Sequence, residues 1–256
     1  MPVYVKRRGQ PAIGSIAQVL DIFRAEVRFY REIAPVIGLR VPACYRAEAT
    51  DDGTLLVLED LSAWQPGADP LQAAHVLSGM HSTWAGRALA RWPWLRPVGA
   101  GADLVEELYG RTWPTLAAGH DLPARVRLLG ERLVGNVAVS ERAVSLAGPL
   151  TLVHGDASAA NMRTGPGAEL ALLDWEDVSY APGVLDLAWL LVSSVEPDRW
   201  QEVIAAYGSP AGLAEVLPAV AVQGLLSLSD TSAGSTAATA WIRRIAAAAS
   251  YLDRAR

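Results

Sequence analysis

Lysine is almost missing from this 256-residue chain: Lys6 is the only one among 22 Lys and Arg residues, and every other fixed cation is an arginine. A lysine kept against that background points to a place needing a compact ammonium, which arginine's planar fork does not reproduce. Cysteine is nearly absent too. The single Cys44 excludes an intrachain disulfide and fits a reducing, cytoplasmic location. Its apolar setting, Val41-Pro42-Ala43 before it and Tyr45 after it, predicts a small core residue and not a nucleophile. Positive charge is in deficit, with a net of −5, so the basic surplus of a nucleic-acid-binding protein is lacking. Mild acidity suits a cationic substrate without demanding one. No apolar run reaches the roughly 18 residues of a membrane span; the nearest, over 184–195, is interrupted by Asp186. Lys6, Arg7 and Arg8 are not followed by an apolar stretch, so a signal peptide is not expected. What the chain does have is apolar residues, 51% of the total, enough for one large domain or two lobes with ample core.

The chemistry is concentrated in residues 154–176. His154-Gly155-Asp156-Ala157-Ser158-Ala159-Ala160-Asn161 is followed by Asp174-Trp175-Glu176. The spacing H-x-D-x-x-x-x-N, then a carboxylate ending an apolar run, is that of a phosphotransferase catalytic loop. Phosphoryl transfer needs one group to accept a hydroxyl proton and oxygen ligands to hold Mg²⁺ on the phosphates. Asp156 suits the first task. Asn161 and Asp174 suit the second, because Mg²⁺ prefers hard oxygen donors and takes few of them from the protein. The strand-like leads Leu150-Thr151-Leu152-Val153 and Leu170-Ala171-Leu172-Leu173 would bring all three to one end of a sheet.

Along the chain, residues 2–6 read as a strand ending at Lys6. Ser15 is expected to cap one helix over 15–34, stopped by Pro35. Val19, Ile22, Glu26, Phe29 and Ile33 have the spacing of its buried face. Glu26 is the one charge on that face, so it needs a cationic partner, for which Lys6 is the candidate. Strands over 41–48 and 54–59 flank the turn Asp51-Asp52-Gly53. Beyond the turn-rich Gln65-Pro66-Gly67-Ala68-Asp69-Pro70, nearly everything reads as helix: about 71–85, 103–117, 122–145, 183–194, 197–207, 211–228 and 234–253. The boundary divides the chain into an N-lobe, 1–63, and a helical C-lobe, 64–256. His75 and His81 lack a third ligand and read as packing or substrate-facing residues.

These phrases resemble the aminoglycoside phosphotransferase and choline kinase-like family: Val-Tyr-Val-Lys-Arg, Glu-Val-Arg-Phe-Tyr-Arg-Glu-Ile, Leu-Glu-Asp-Leu, the His154–Asn161 loop and Leu-Asp-Trp-Glu-Asp fall in its order. The wording near 58–61 and 26–33 is similar to the small-molecule kinase branch that includes ecdysteroid kinase-like proteins. The resemblance implies an α+β, bilobal protein-kinase-like fold with a mostly helical C-lobe. It implies that Lys6 holds the α- and β-phosphates and that Glu26 orients it. It makes the stretch from Glu59 to Leu61 the hinge for adenine or guanine, Asp156 the catalytic base, and Asn161 and Asp174 the Mg²⁺ ligands. Ser158 falls among the nucleotide-side residues, where protein kinases carry a lysine, which argues against a protein kinase. Gly183 and Asp186 match a structural motif behind the site, and His154 is expected to orient the loop. The family's glycine-rich hairpin precedes its lysine strand, and with five residues before Lys6 the expectation is a truncated N-lobe with weak nucleotide binding.

Two functions follow as expectations. The first is transfer of the γ-phosphoryl group of ATP or GTP to a hydroxyl of a small molecule, antibiotics and other natural products being candidates. The alternative is a degenerate, non-catalytic kinase-like protein that binds a ligand or partner. Trp84, Trp92, Trp94 and Trp113 are candidates for an aromatic acceptor wall, and Asp103, Glu106 and Glu107 for a cation-attracting edge; core packing and a solvated helix face explain them equally well.

Overall fold

The computed structural model describes residues 2–255. It opens with an antiparallel three-stranded sheet in the order β1-β3-β2: β1 Val3–Gly9, β2 Cys44–Thr50 and β3 Gly53–Glu59. Alternation along β3 buries Leu56 and Leu58, as expected of a strand with one face on a core. The edge strand β1 sets Lys6 opposite Leu56, and its period of two puts Tyr4, Lys6 and Arg8 on one face.

The helix expected over 15–34 is instead three pieces. Ser15 does cap, its side chain accepting from the Gln18 amide, but the cap starts only α1, Ile16–Val19. Asp21 then adopts a left-handed backbone, φ 49°, a conformation that aspartate tolerates better than most residues. The chain restarts as α2, Ile22–Arg28, which passes directly into a π-helical turn, Phe29–Ile33. The break turns Val19 out to solvent, 52% exposed, while Glu26, Phe29 and Ile33 stay buried. Cys44 is exposed, not a core residue; it starts β2, where an irregularity interrupts the pairing with β3.

The remainder is mostly helical. In order come β4 Gln65–Pro66, α3 Pro70–Trp84, α4 Ala88–Arg91, β5 Arg96–Pro97, α5 Ala102–Gly119, α6 Ala124–Leu133 and α7 Val137–Ala143. Then follow β6 Leu150–Val153, β7 Met162–Thr164, β8 Leu170–Leu172, β9 Ser179–Pro182, α8 Val184–Ser194, α9 Trp200–Tyr207, α10 Leu213–Ser229 and α11 Thr236–Arg254. The stretch 122–145 is two helices, not one, because Gly135 takes φ 72° between them. β6 pairs with β9 and β7 with β8. The two strand-like leads therefore sit in separate small sheets, not side by side as expected. The loops after them still converge: the Leu173 amide donates to the Asn161 carbonyl at 2.8 Å. A single buried cluster runs from Phe29 and Leu58 in the N-terminal part to Leu225 and Ile245 in the last helices. Among the described residues no helix is long and apolar enough to cross a membrane.

Candidate functional site

The loop after β6 is fixed from beneath by one buried carboxylate. Asp186, in the first turn of α8, is fully buried. Its Oδ2 accepts from the His154 amide at 2.7 Å and its Oδ1 from the Gly155 amide at 2.9 Å. His81 on α3 reaches the same Oδ2 through Nε2 at 3.0 Å, while its Nδ1 meets the Tyr207 hydroxyl at 2.7 Å. Burial opposes ionisation of Asp186, but His81 and His154, whose amide donates to it, outweigh it and hold the carboxyl below its usual range. Gly183 makes room for this cluster, since a Cβ there would lie 2.5 Å from the His81 ring. Gly155, at φ +88°, is required twice over: a Cβ would also lie 2.3 Å from the Asp177 carbonyl oxygen. His154 is buried, with Nε2 donating to the Leu173 carbonyl at 2.8 Å and Nδ1 accepting from the Asp156 amide at 3.2 Å. It orients the loop, as expected.

Asp156 is held by two donors. Trp189 Nε1 on α8 donates to its Oδ1 at 2.5 Å, and Asn161 Nδ2 donates to its Oδ2 at 2.8 Å. Asn161 Nδ2 also reaches the Asp156 carbonyl at 3.0 Å, so the amide nitrogen is committed to the loop and Oδ1 is left as the free acceptor. Ser158 stays within the turn: its amide donates to the Asp156 carbonyl at 2.8 Å and its carbonyl accepts from Asn161 at 3.0 Å. It lies outside the lining of both cavities described below.

Lys6 pairs with Glu26 Oε2 at 2.7 Å, Asp174 Oδ1 at 2.6 Å and Glu176 Oε2 at 3.2 Å, and Arg8 Nη2 meets Glu176 at 2.9 Å. Burial works against the Lys6 charge, but the facing Glu26 and Asp174 override it and hold the ammonium above its ordinary range. Glu26 is pushed up to about 7 by burial, offset in part by Lys6 and reinforced by Asp174 and Glu176. Asp174 sits in a left-handed backbone, φ 57°. The next residue, Trp175, is fully buried; it stacks on Phe29 at 4.1 Å and 7° and leans on His154 at 4.3 Å. That contact ties the helix of Glu26 to the loops that carry Asp156 and Asp174.

Two cavities meet at this loop. One, about 290 Å³, is lined by Tyr4, Lys6, Glu26, Glu59, Leu61, Asn161 and Asp174. The other, about 380 Å³, is lined by Gly155, Asp156, Asp177, Trp189, Arg96 and Glu141 among others. Glu59 turns its carboxylate onto Arg40, both oxygens at 2.7 Å, and onto the Ala43 amide at 3.0 Å; its side chain braces the hinge. The expected acceptor wall is elsewhere: Trp84 packs on Trp92, Trp94 lies under Arg28 and donates to Glu32, and Trp113 stacks with Tyr109. Asp103 and Glu107 pair with Arg142 and Arg111 at the surface, and Glu106 accepts from the Ala138 amide. Glu176, Trp189 and Glu141 escaped the sequence reading. Only Glu176 had a signal, its place two residues after Asp174 in an extended stretch, where alternation returns it to the same side.

A model of the phosphotransferase enzyme family matches residues 12–220. Among curated protein sequences none matches the chain. Similar solved structures include aminoglycoside phosphotransferase APH(3'')-Id from Streptomyces rimosus in complex with ADP and streptomycin, 17% identical over 87% of this chain and 86% of that one, TM-score 0.61. Choline kinase LicA from Streptococcus pneumoniae is 18% identical over 97% and 86%, TM-score 0.59. Macrolide 2'-phosphotransferase MphH from Brachybacterium faecium is 20% identical over 96% and 83%, TM-score 0.52. With that family match over most of its length, and with the bilobal kinase-like fold its neighbours share, the chain belongs to the phosphotransferase enzyme family.

Proposed function

We propose that this protein is a small-molecule kinase that transfers the γ-phosphoryl group of ATP to a hydroxyl bound beside Asp156. The observation that carries the reading is the division of labour between the cavities. Lys6, Asn161 and Asp174 line one, Asp156 lines the other, and the Asn161–Asp156 hydrogen bond joins them. The adenine would lie against the Glu59–Leu61 hinge and the phosphates would take up the Lys6 ammonium, with Glu26 keeping that ammonium in place. Asp156, fixed by Trp189 and Asn161, accepts the hydroxyl proton as the oxygen attacks the γ-phosphorus in line with the leaving ADP oxygen.

The donor set fits a divalent cation. Carboxylate oxygens of Glu26, Asp174 and Glu176 lie within 4.8 Å of one another, and Asn161 has its Oδ1 free for a ligand. Asp174 and Asn161 would hold Mg²⁺, with Glu176 at the edge; when bound, the ion neutralises charge on the phosphates. Lys6 bridges Asp174 and Glu26, an arrangement that offsets the repulsion among the three carboxylates. The neighbour solved with ADP and another solved with AMP support an adenine nucleotide as donor. A screen of hydroxylated natural products for an 80-Da mass gain, about one phosphoryl group, with Mg²⁺ and ATP or GTP, tests the proposal. Failure of every acceptor together with failure to bind nucleotide would sink it.

A further inference from the structure

Lys6 is not the last cation on its strand face. Tyr4, Lys6 and Arg8 share one side of β1 and stand opposite Leu58, Leu56 and Thr54 of β3. Since β3 runs into the hinge at Glu59, each step from Tyr4 to Lys6 to Arg8 leads away from the hinge by about 6–7 Å. Tyr4 and Lys6 line the cavity that the hinge closes, and Arg8 stands one step beyond them. The facing segment keeps the same order. Asp174 pairs with Lys6, and Glu176, two residues on, puts its Oε2 on Lys6 at 3.2 Å and on Arg8 Nη2 at 2.9 Å. The two cations thus share one carboxylate oxygen. Arg8 itself is only half used. Its guanidinium lies over the Phe23 ring at 4.9 Å, a contact that restrains its plane. Nη2 is taken by Glu176, while Nε, on the same edge of the fork, is buried without a hydrogen-bond partner among the described residues. A buried donor left without an acceptor is costly. The side chain as a whole is 39% exposed against 11% for Lys6, so Arg8 stands at the mouth and Lys6 inside.

On the phosphotransferase reading above, we infer that Arg8 binds the γ-phosphate of the nucleotide, with Nε and Nη2 taking two of its oxygens in place of the single contact to Glu176. A phosphate chain that leaves the hinge and passes Lys6 with its α- and β-groups meets Arg8 with its third. The planar fork matches two oxygens of one phosphate, which a compact ammonium does not, and the exchange gives the buried Nε an acceptor. Glu176, released, turns its charge to the cation beside Asp174. Arg7, between the two, points to the other side of the strand and takes no part. ADP lacks the third phosphate, so it leaves Arg8 on Glu176. Arg8 therefore separates the charged donor from the spent one.

The test is calorimetry on the full chain in Mg²⁺, with ADP and the non-hydrolysable triphosphate AMP-PNP as ligands of the wild type, Arg8→Gln and Arg8→Lys. Arg8→Gln should bind AMP-PNP about tenfold or more weakly than the wild type, as for loss of a charge-assisted hydrogen bond, and ADP within about twofold of it. Arg8→Lys keeps a charge beside Glu176 and so guards against a folding defect; it should fall between the other two on AMP-PNP and match the wild type on ADP. An arginine that only braces Glu176 would move both ligands together. Equal losses for the two ligands, unchanged AMP-PNP affinity in Arg8→Gln, or full AMP-PNP affinity in Arg8→Lys would each overturn the inference. A wild type that binds neither nucleotide would sink it together with the kinase reading. Dependence of AMP-PNP on Arg8 in a protein that phosphorylates no acceptor would count against the kinase reading alone. Asp156-dependent transfer in a protein whose AMP-PNP affinity ignores Arg8→Gln would count against this inference alone.

Discussion

Asp156 has both carboxylate oxygens occupied by donors, Trp189 on one and Asn161 on the other, so its direction is set before any acceptor arrives. Asp156→Asn should therefore lower kcat by about 10²–10⁴ with little change in nucleotide affinity; near-normal turnover in a coupled ADP assay would remove Asp156 from the role of base. Lys6 tests a different property. It touches three carboxylates within 3.2 Å, a crowd that a single ammonium can enter and a guanidinium's flat fork cannot match. Lys6→Arg should thus stay folded and lose most activity; full activity would make the sole lysine incidental. Glu141 provides a pH signature. Its folded carboxyl, near 7, is raised above the ordinary 4.5 by burial, so the folded state binds the proton more tightly than the unfolded one. Stability is then lost as pH rises from 4.5 to 7, and the cost is complete above that window. Glu141→Gln should match the wild type in urea melts near pH 4.5 and exceed it at pH 8 by roughly 1–3 kcal/mol. A variant less stable at pH 8 would mean that the carboxylate makes a stabilising contact.

At the scale of elements, the His154–Asn161 loop owes its shape to α8 and α3 as much as to its own sequence. Asp186 on α8 takes two loop amides, His81 on α3 steadies Asp186, and Trp189, one turn along α8, steers Asp156. Trp189→Phe keeps an aromatic side chain, though a smaller one, and removes the N–H, so it should reduce kcat more than it raises KM, whereas a variant with unchanged kcat would show that Asn161 alone positions the base. This layering explains what could be read beforehand. The convergence of Asp156, Asn161 and Asp174 could be anticipated because their spacing in one short stretch matches a phosphotransferase loop, and the pairing of Glu26 because a lone charge on an apolar helical stripe needs a partner, which proved to be Lys6. Trp189 and Glu141 could not, since each reaches the site from a helix that looks like ordinary packing until tertiary contacts turn one face inwards. The continuous helix over 15–34 failed for a related reason. Its apolar spacing persists across Leu20 and Asp21, but Leu20 lines the cavity beside Asp156, and the backbone yields at an aspartate that accepts a left-handed turn. Cys44 was misplaced because its neighbours are apolar in sequence while it stands at the irregular start of an exposed strand.

For the molecule as a whole, nucleotide binding on the kinase reading would redistribute the ion pairs that Lys6 makes with Glu26, Asp174 and Glu176. Asp174 pairs with Lys6 at 2.6 Å, and on the kinase reading both are needed elsewhere: the ammonium on the phosphates, the carboxylate on Mg²⁺. The exchange has a scaffold. Trp175 stacks on Phe29 and leans on His154, packing the helix of Glu26 against the segment of Asp174 within the continuous core. Nucleotide without Mg²⁺ would draw Lys6 away and leave Glu26, Asp174 and Glu176 facing one another within 4.8 Å; the ion removes that repulsion. Binding to the native state alone raises stability by about 2.7 kcal/mol at a hundredfold excess over Kd, which for a chain of this length is a rise in Tm of roughly 5–10 °C. Mg²⁺ and ATP together should produce that rise and ATP alone only a fraction of it. Asp174→Ala should abolish the Mg²⁺-dependent part, and Asn161→Ala should only reduce it, because the first removes a full charge beside the ion and the second a neutral oxygen. Thermal melts of the three proteins, each with and without Mg²⁺ and ATP, decide it: an equal shift without Mg²⁺, or an unchanged shift in Asp174→Ala, would mean that Asp174 does not ligate the ion and that its pairing with Lys6 is its working state.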